Sequence, residues 1–155
     1  MKKLVFLLSF TVLSISLLAQ NGNFKLDKDY TIGKTGTLDL RSSDADVFIT
    51  GSDRSTAHVK IERTVESKGV VWGDGDFSVS VEEENGNLVI RERQDKVSVN
   101  VIGYYRENYK IEIRVPIGVS LKIDGDDGDC FIKNINGSIS LDMDDGDAEL
   151  FSCGG

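Results

Sequence analysis

The sequence predicts an all-β fold, a solenoid of stacked coils with a hairpin-rich N-terminal part, on three observations. Asp126-Asp127-Gly128-Asp129 recurs 18 residues later as Asp144-Asp145-Gly146-Asp147. The flanks recur with it: Leu121 and Ile123 match Ile139 and Leu141, Ile132 matches Leu150, and Gly137 matches Gly155. A fixed short period in a strand-like chain marks stacked units that cannot bury a core singly. Apolar residues after Gly33 alternate with polar ones, the period of a half-buried strand. Beyond residue 19 no segment carries a helical period, and the 16 glycines sit mostly at turns, where positive φ costs them little.

The chain opens on Met1-Lys2-Lys3, the apolar run Leu4 to Leu18 and the small Ala19. That order reads as a secretory signal peptide, residues 1–19, cut after Ala19; an uncleaved N-terminal anchor is the alternative. The run is short for a membrane span. Residues 20–34 read as an extended N-terminal segment and residues 35–155 as one domain. Within it Thr37-Leu38-Asp39-Leu40 alternates, and Val47-Phe48-Ile49 follows the Ser43-Asp44-Ala45-Asp46 turn. Val59, Ile61 and Val65 share one face of a longer strand, and Phe77, Val79 and Val81 share another. Asn85-Gly86-Asn87 then separates that run from Leu88 and Ile90, a hairpin signal. Val97, Val99 and Val101 follow, then Tyr109, Ile111, Ile113 and Val115; Pro116 interrupts the alternation, and Ile117, Val119, Leu121 and Ile123 resume it.

The repeat has an echo near the start. Leu38, Leu40, Asp44, Asp46, Phe48 and Ile49 align with Leu121, Ile123, Asp127, Asp129, Phe131 and Ile132 at one offset of 83. A shorter echo sets Asp74-Gly75-Asp76-Phe77 beside Asp127-Gly128-Asp129-Cys130. The shared grammar is apolar-x-apolar, an acidic turn, then a second apolar strand. Each such coil buries alternate side chains and pairs its backbone with the coils above and below, about 4.8 Å away. The hairpin-rich first part is expected to cover one end of the stack. The sequence stops in mid-repeat at Cys153-Gly154-Gly155, which reads as a truncation, or as a strand edge open to edge-to-edge self-association.

The formal charge is −8, and loss of Lys2 and Lys3 with the leader takes it to −10. An acidic surface repels nucleic acid and anionic headgroups, which excludes both as primary partners. In an exported chain Cys130 and Cys153 invite a disulfide. The repeat aligns Cys130 with Ala148 and Cys153 with Ile135, so both take inward slots out of stacking register. A bridge and two free core cysteines both stay open, the free pair being the commoner outcome.

Val115-Pro116-Ile117-Gly118-Val119-Ser120-Leu121-Lys122-Ile123, then Gly128-Asp129-Cys130-Phe131-Ile132, Ile135-Asn136-Gly137-Ser138-Ile139 and Gly146-Asp147-Ala148-Glu149-Leu150 form a connected pattern. It resembles the bacterial "putative adhesin" family of exported β-solenoid domains, akin to the head-GIN domain. The family pattern is a strand ending in Pro-x-Gly followed by repeated Gly-Asp-x-x-apolar units, and the resemblance covers roughly residues 35–155. It implies a right-handed parallel β-helix and a cell-envelope or secreted setting. It implies no established activity and no catalytic residues. The abrupt end departs from it, leaving fewer coils than such domains usually have.

Two constellations are candidate sites. Asp126, Asp127 and Asp129 are expected beneath Asp144, Asp145 and Asp147, while Asp124 and Asp142 read as one step out of that register. Stacked carboxylates repel, and a hard cation such as Ca²⁺ would relieve them; the alternative is a solvated turn ladder with Asp chosen for turn chemistry. Trp72 and the Tyr104-Tyr105 pair lie in Gly-flanked stretches read as loops, where they could stack on sugar rings, anchor a protein partner or fold back on the core. The single histidine, His58, lies opposite Val59 and Ile61 in the alternation and is expected to face solvent. With no His or basic partner beside the Asp pairs, neither a triad nor glycosidase chemistry has support. The functional reading is a non-enzymatic structural or interaction domain, adhesive in kind, of the bacterial envelope. It would sit in the periplasm, on the outer surface or outside the cell, with no cofactor. The alternative is a Ca²⁺- or glycan-binding module using the Asp corners or the aromatic stretches.

Overall fold

The computed structural model describes residues 15–18, 22–72, 77–94 and 100–154. The cut site at Ala19, Val97, Val99 and the Asp74-Gly75-Asp76 echo lie outside the described residues. The strands are β1 Ile15–Leu18, β2 Phe24–Thr31, β3 Thr37–Ser42, β4 Asp46–Ser52, β5 Thr56–Trp72 and β6 Phe77–Glu84. The others are β7 Asn87–Gln94, β8 Asn100–Pro116, β9 Ser120–Gly125, β10 Cys130–Lys133, β11 Ile139–Met143 and β12 Ala148–Phe151. They build two six-stranded mixed sheets, ordered β1-β6-β7-β3-β9-β11 and β12-β10-β4-β8-β5-β2. No helix among the described residues is long and apolar enough to cross a membrane.

Three of the five strand pairings in each sheet are parallel. In the first, Leu121 pairs with Ile139 and Ile123 with Leu141, while Leu38 and Leu40 pair with Leu121 and Ile123. In the second, Cys130 pairs with Ala148 and with Val47, and Ile132 with Leu150 and Ile49. These are the 18- and 83-residue offsets of the sequence. One reading needs correction: Asp124 pairs directly with Asp142, so these two share the register of their neighbours. Each pair of strands from the two sheets (β3 with β4, β9 with β10, β11 with β12) turns through a short acidic corner. At that corner Gly128 and Gly146 hold φ of +126° and +103°, and a Cβ on Gly146 would lie 2.3 Å from the Gly128 carbonyl oxygen. Only glycine accepts both demands.

The other two pairings in each sheet are antiparallel. Asn85 and Gly86, at φ +49° and +82°, make the two-residue turn that joins β6 to β7 as a hairpin. β5 and β8 pair antiparallel from His58–Arg114 to Trp72–Asn100, and β2 lies along β5. The stack does not follow chain order: β3 lies between β7 and β9, and β4 between β8 and β10. The N-terminal unit is therefore central, and the hairpins occupy one end.

The inward faces of the sheets share one core. Leu38, Leu40, Leu88, Ile90, Ile49, Ile61, Ile111, Ile113 and Ile132 are fully buried. Phe24, Leu26, Tyr30 and Ile32, from the stretch read as an extended segment, join the same core. Cys130 and Cys153 are free thiols, and burial pushes the Cys130 thiol up to about 11. Ile49 lies at the centre, with Ile113 on one flank and Ile132 on the other. We expect Ile49→Ala to cost about 2–5 kcal/mol, since neighbours paired on both sides limit collapse into the void. Urea denaturation with an unchanged slope measures it, and a loss below about 1 kcal/mol would contradict this packing.

Candidate functional site

The acidic corners meet as the repeat requires. The Asp145 N–H donates to the Asp126 carbonyl at 2.8 Å, and the Asp127 N–H donates to the Ser43 carbonyl at 3.0 Å. The side chains of Asp126, Asp127, Asp144, Asp145 and Asp147 are exposed and that of Asp129 is half-buried. One column of these carboxylates is engaged. The Asp129 N–H donates to Asp46 Oδ1 at 3.4 Å, and the Asp147 N–H donates to Asp129 Oδ1 at 3.0 Å. Asp46 and Asp129 thus each accept a backbone N–H from the following unit, the turn chemistry that favours Asp there. Among the described residues no three His, Cys, Asp or Glu side chains converge as a metal-ligating group.

Behind the corner lies a group of acidic side chains the sequence did not signal. Glu92 accepts from the Ser42 hydroxyl at 2.9 Å and from the Ser43 N–H at 3.0 Å. Asp44 is an exposed residue, yet its carboxyl is raised above the ordinary carboxylate range. Partial desolvation contributes most, followed by the charges of Glu92, Glu107, Asp127 and Asp126. The buried Tyr109 hydroxyl lies near Ser42 and Glu92, and burial, then the Glu92 charge, raises its pKa.

The second candidate is the outer part of the β5–β8 ribbon. Residues 24–31 of β2 flank β5 only as far as Arg63, and β4 flanks β8 only from Lys110 on. Beyond those points, among the described residues, β5 and β8 pair with no third strand and form a two-stranded arm, at whose base the Val65 N–H donates to Asn23 Oδ1 at 2.8 Å. Its root is tied down. Arg63, 5% exposed, donates from Nε to Glu107 at 2.5 Å and from Nη1 to the Gly22 carbonyl at 2.7 Å. Its guanidinium lies 4.4 Å from the Phe77 ring centroid, and Phe77 packs edge-on against Phe24 and Tyr109. Midway along, Gly69 and Gly103 face each other at φ +113° and +142°; a Cβ on either would meet the opposite strand's carbonyl oxygen at 2.2 or 2.0 Å.

This geometry corrects the reading of the aromatic stretches. Tyr104 and Tyr105 lie within β8, and Trp72 ends β5 opposite Asn100, so none is in a loop. Paired glycines inside a ribbon imitate the turn signal that flanks a loop. The side chain of Trp72 lies outside the described residues. Tyr104 is 47% exposed and borders an open depression of about 820 Å³, while Tyr105 donates to Glu107 at 2.9 Å. Val70 and Ile102, paired with each other, are 50% and 68% exposed. The sequence hides both, because alternation alone places apolar residues on a buried face. His58 is half-buried between Asp27 and Asp29, at 3.4 and 3.2 Å.

No family model matches this chain, and no curated protein matches its sequence. The fold has a solved counterpart. A crystal structure of a "putative cell adhesion protein" from Clostridium sporogenes superposes with a TM-score of 0.52 at 12% identity, over 84% of this chain and 63% of that one. The chain therefore spans less than two thirds of that protein's length. A "putative lipid binding protein" from Parabacteroides distasonis aligns over 86% of this chain and 63% of its own at 14% identity, with a TM-score of 0.30, too low to carry an argument.

The raised Asp44 carboxyl has a pH consequence. A group raised on folding contributes stability that is full below its unfolded pKa and lost as pH rises through its folded value. At neutral pH the ionised Asp44 therefore works against the fold. Asp44→Asn should raise the melting temperature at pH 7, modestly because solvent screens the site, and the gain should vanish as pH falls below the carboxylate range. Thermal melts across that range check it; a gain that persists at low pH would assign the effect to something other than this charge.

Proposed function

We propose that this chain is a non-catalytic interaction domain of adhesive type, exported to the bacterial envelope, that engages its partner through the β5–β8 arm. The observation that carries this reading is the exposure of Val70, Ile102 and Tyr104 on a two-stranded element with no other strand beside it among the described residues. Apolar side chains grouped on a protruding ribbon are unusual in a solvated protein and mark contact surfaces. Tyrosine suits such contacts, since it offers a large apolar ring with a polar tip at little conformational cost. The rooted base supports the same reading: breaking one partner of a buried pair such as Arg63–Glu107 costs about 3–5 kcal/mol, so the arm is held in place.

The likeness to a cell adhesion protein supports the adhesive class, and the leader-like N-terminus supports export. The solenoid reading draws support from the parallel register of the β3–β4, β9–β10 and β11–β12 units. Ca²⁺ binding at the Asp corners draws less, since Asp46 and Asp129 already accept backbone N–H groups.

Retention of the purified chain on intact bacterial cells tests the reading. Ile102→Asp and Tyr104→Ala should each lower retention by at least about tenfold, the loss of roughly 1.4 kcal/mol, with the melting temperature nearly unchanged. Retention equal to the parent would remove the arm as the contact surface. Tyr104→Ala unfolding the chain would assign that ring to packing. A melting temperature raised by millimolar Ca²⁺ and lowered by chelator would restore the metal reading of the corners.

A further inference from the structure

The β5 side of the arm is an open strand edge within the chain. Among the described residues β2 pairs with β5 no further than Phe24 opposite Arg63, and from Thr64 to Trp72 that edge carries no strand. At Gly22 the backbone takes a φ of +75°, and Arg63 Nη1 holds the Gly22 carbonyl at 2.7 Å, so the chain leaves the line of β2 there. The Val65 N–H points out of this edge, since it donates to Asn23 Oδ1. Backbone groups alternate in direction along a strand, so those of Ser67 and Gly69 point the same way. The depression of about 820 Å³ borders this stretch, lined by Asn23, Val65, Glu66, Ser67, Lys68 and Tyr104. An edge with outward backbone groups is a template for an added strand.

Charge decides which strand fits. Glu66 and Lys68 lie on the face opposite Val59 and Ile61, both exposed, and neither makes an ion pair among the described residues. An antiparallel copy of β5 meets this edge only with odd positions opposite odd ones, which leaves few registers. Centred on Glu66 or on Lys68, the pairing sets like charges opposite each other. Centred on Gly69 it sets both charges against apolar residues, and centred on Val65 it has no room beside β2. Centred on Ser67 it sets Glu66 opposite Lys68 twice, once on each side of the two-fold axis. Those positions form non-hydrogen-bonded pairs, the closer kind in an antiparallel ladder, with about 4.5 Å between Cα atoms. Ser67 then exchanges both backbone bonds with its counterpart, and Val65 lies opposite Gly69, which has no side chain to obstruct it. Across the ribbon Arg106 is opposite Glu66 and Tyr104 opposite Lys68. The row so built runs Arg106, Glu66, then Lys68 and Tyr104 of the second copy, with the charges alternating. The arm's other edge lacks this property, since Tyr104, Arg106 and Asn108 on the same face of β8 hold one sign of charge only.

We propose that the arm's partner is a second copy of this chain, β5 pairing with β5 antiparallel about a two-fold axis at Ser67. The proposal rests on the arm being the contact surface and names what it contacts. The two ribbons join as one four-stranded sheet, β8-β5-β5-β8. Each arm's apolar tip, Val70 with Ile102, is carried alongside the base of the other, at Thr64 and Asn108. Each chain has a net charge of −8, so the contact depends on local complementarity, with long-range repulsion screened beyond about 8 Å at physiological salt.

Sedimentation velocity of the full 155-residue chain over a rising concentration series, at physiological salt, should show a monomer–dimer equilibrium. Glu66→Lys alone and Lys68→Glu alone should each weaken the dimer at least about tenfold, because each sets like charges opposite twice. Mixed together, the two single variants should pair with one another, and the double exchange Glu66→Lys/Lys68→Glu should restore self-pairing. Both sites are exposed, so the melting temperatures should stay near that of the parent. In the unaltered chain, which needs no variant to fold, amide exchange at Ser67 and Gly69 should slow as concentration rises. Single variants that dimerise as the parent does would overturn the proposal, as would single variants that fail to associate when mixed. A chain that stays monomeric yet is held on bacterial cells through Ile102 and Tyr104 would overturn the pairing and leave the arm's contact with cells standing. A dimer through this edge, with Ile102→Asp retained on cells like the parent, would uphold the pairing and remove only the contact with cells.

Discussion

Parallel pairing of like residues over like residues is the constraint on which the rest of the molecule depends. Val47, Cys130 and Ala148 form one column, Ile49, Ile132 and Leu150 another, and Leu38, Leu121 and Ile139 a third. Backbone hydrogen bonds set the spacing, and the apolar columns make each unit the lid of the one beneath. The same rule shows outside the core, where Phe48 and Phe131 stack at 4.8 Å with 10° between their planes. Lys110 caps that pair, 4.5 Å from the Phe48 ring centroid.

Stacking like over like has a cost at the corners, where it brings carboxylates together. The fold limits the repulsion in two ways. Corner carboxylates accept backbone N–H groups from the following unit, and Arg41, Lys122 and Arg91 interleave with the acids of the first sheet. The Asp44 carboxyl is raised, by partial desolvation first and by the neighbouring carboxylates second. At the antiparallel end the problem differs. There a ribbon must leave the sandwich without fraying, and a buried ion pair set among Phe24, Phe77 and Tyr109 secures its root.

The parts of this fold that were legible in the sequence are those that repeat. An 18-residue offset is visible because every position in a unit meets the same environment as its copy. The 83-residue offset survives for the same reason, although four strands intervene between β4 and β9. The insertion of β3–β4 beside β7–β8 was not legible, because the sequence between β7 and β8 carries no Asp-Gly corner to mark it as a further unit. The arm was misread for a related reason. Glycine ordinarily signals a turn, and nothing local distinguishes Gly69 and Gly103 facing one another within a ribbon from glycines that flank a loop. Arg63 and Glu107 lie 44 positions apart with no shared pattern, so their pairing emerges only in three dimensions.

The most direct test of the register is solution NMR of a uniformly labelled sample. Inter-strand contacts between backbone protons should link Leu38 with Leu121, Leu121 with Ile139, and Ile49 with Ile132 and Ile132 with Leu150, in the staggered pattern of parallel strands. Contacts in an antiparallel pattern among these residues, or a register shifted by even one position, would contradict the stacked columns and everything inferred from them.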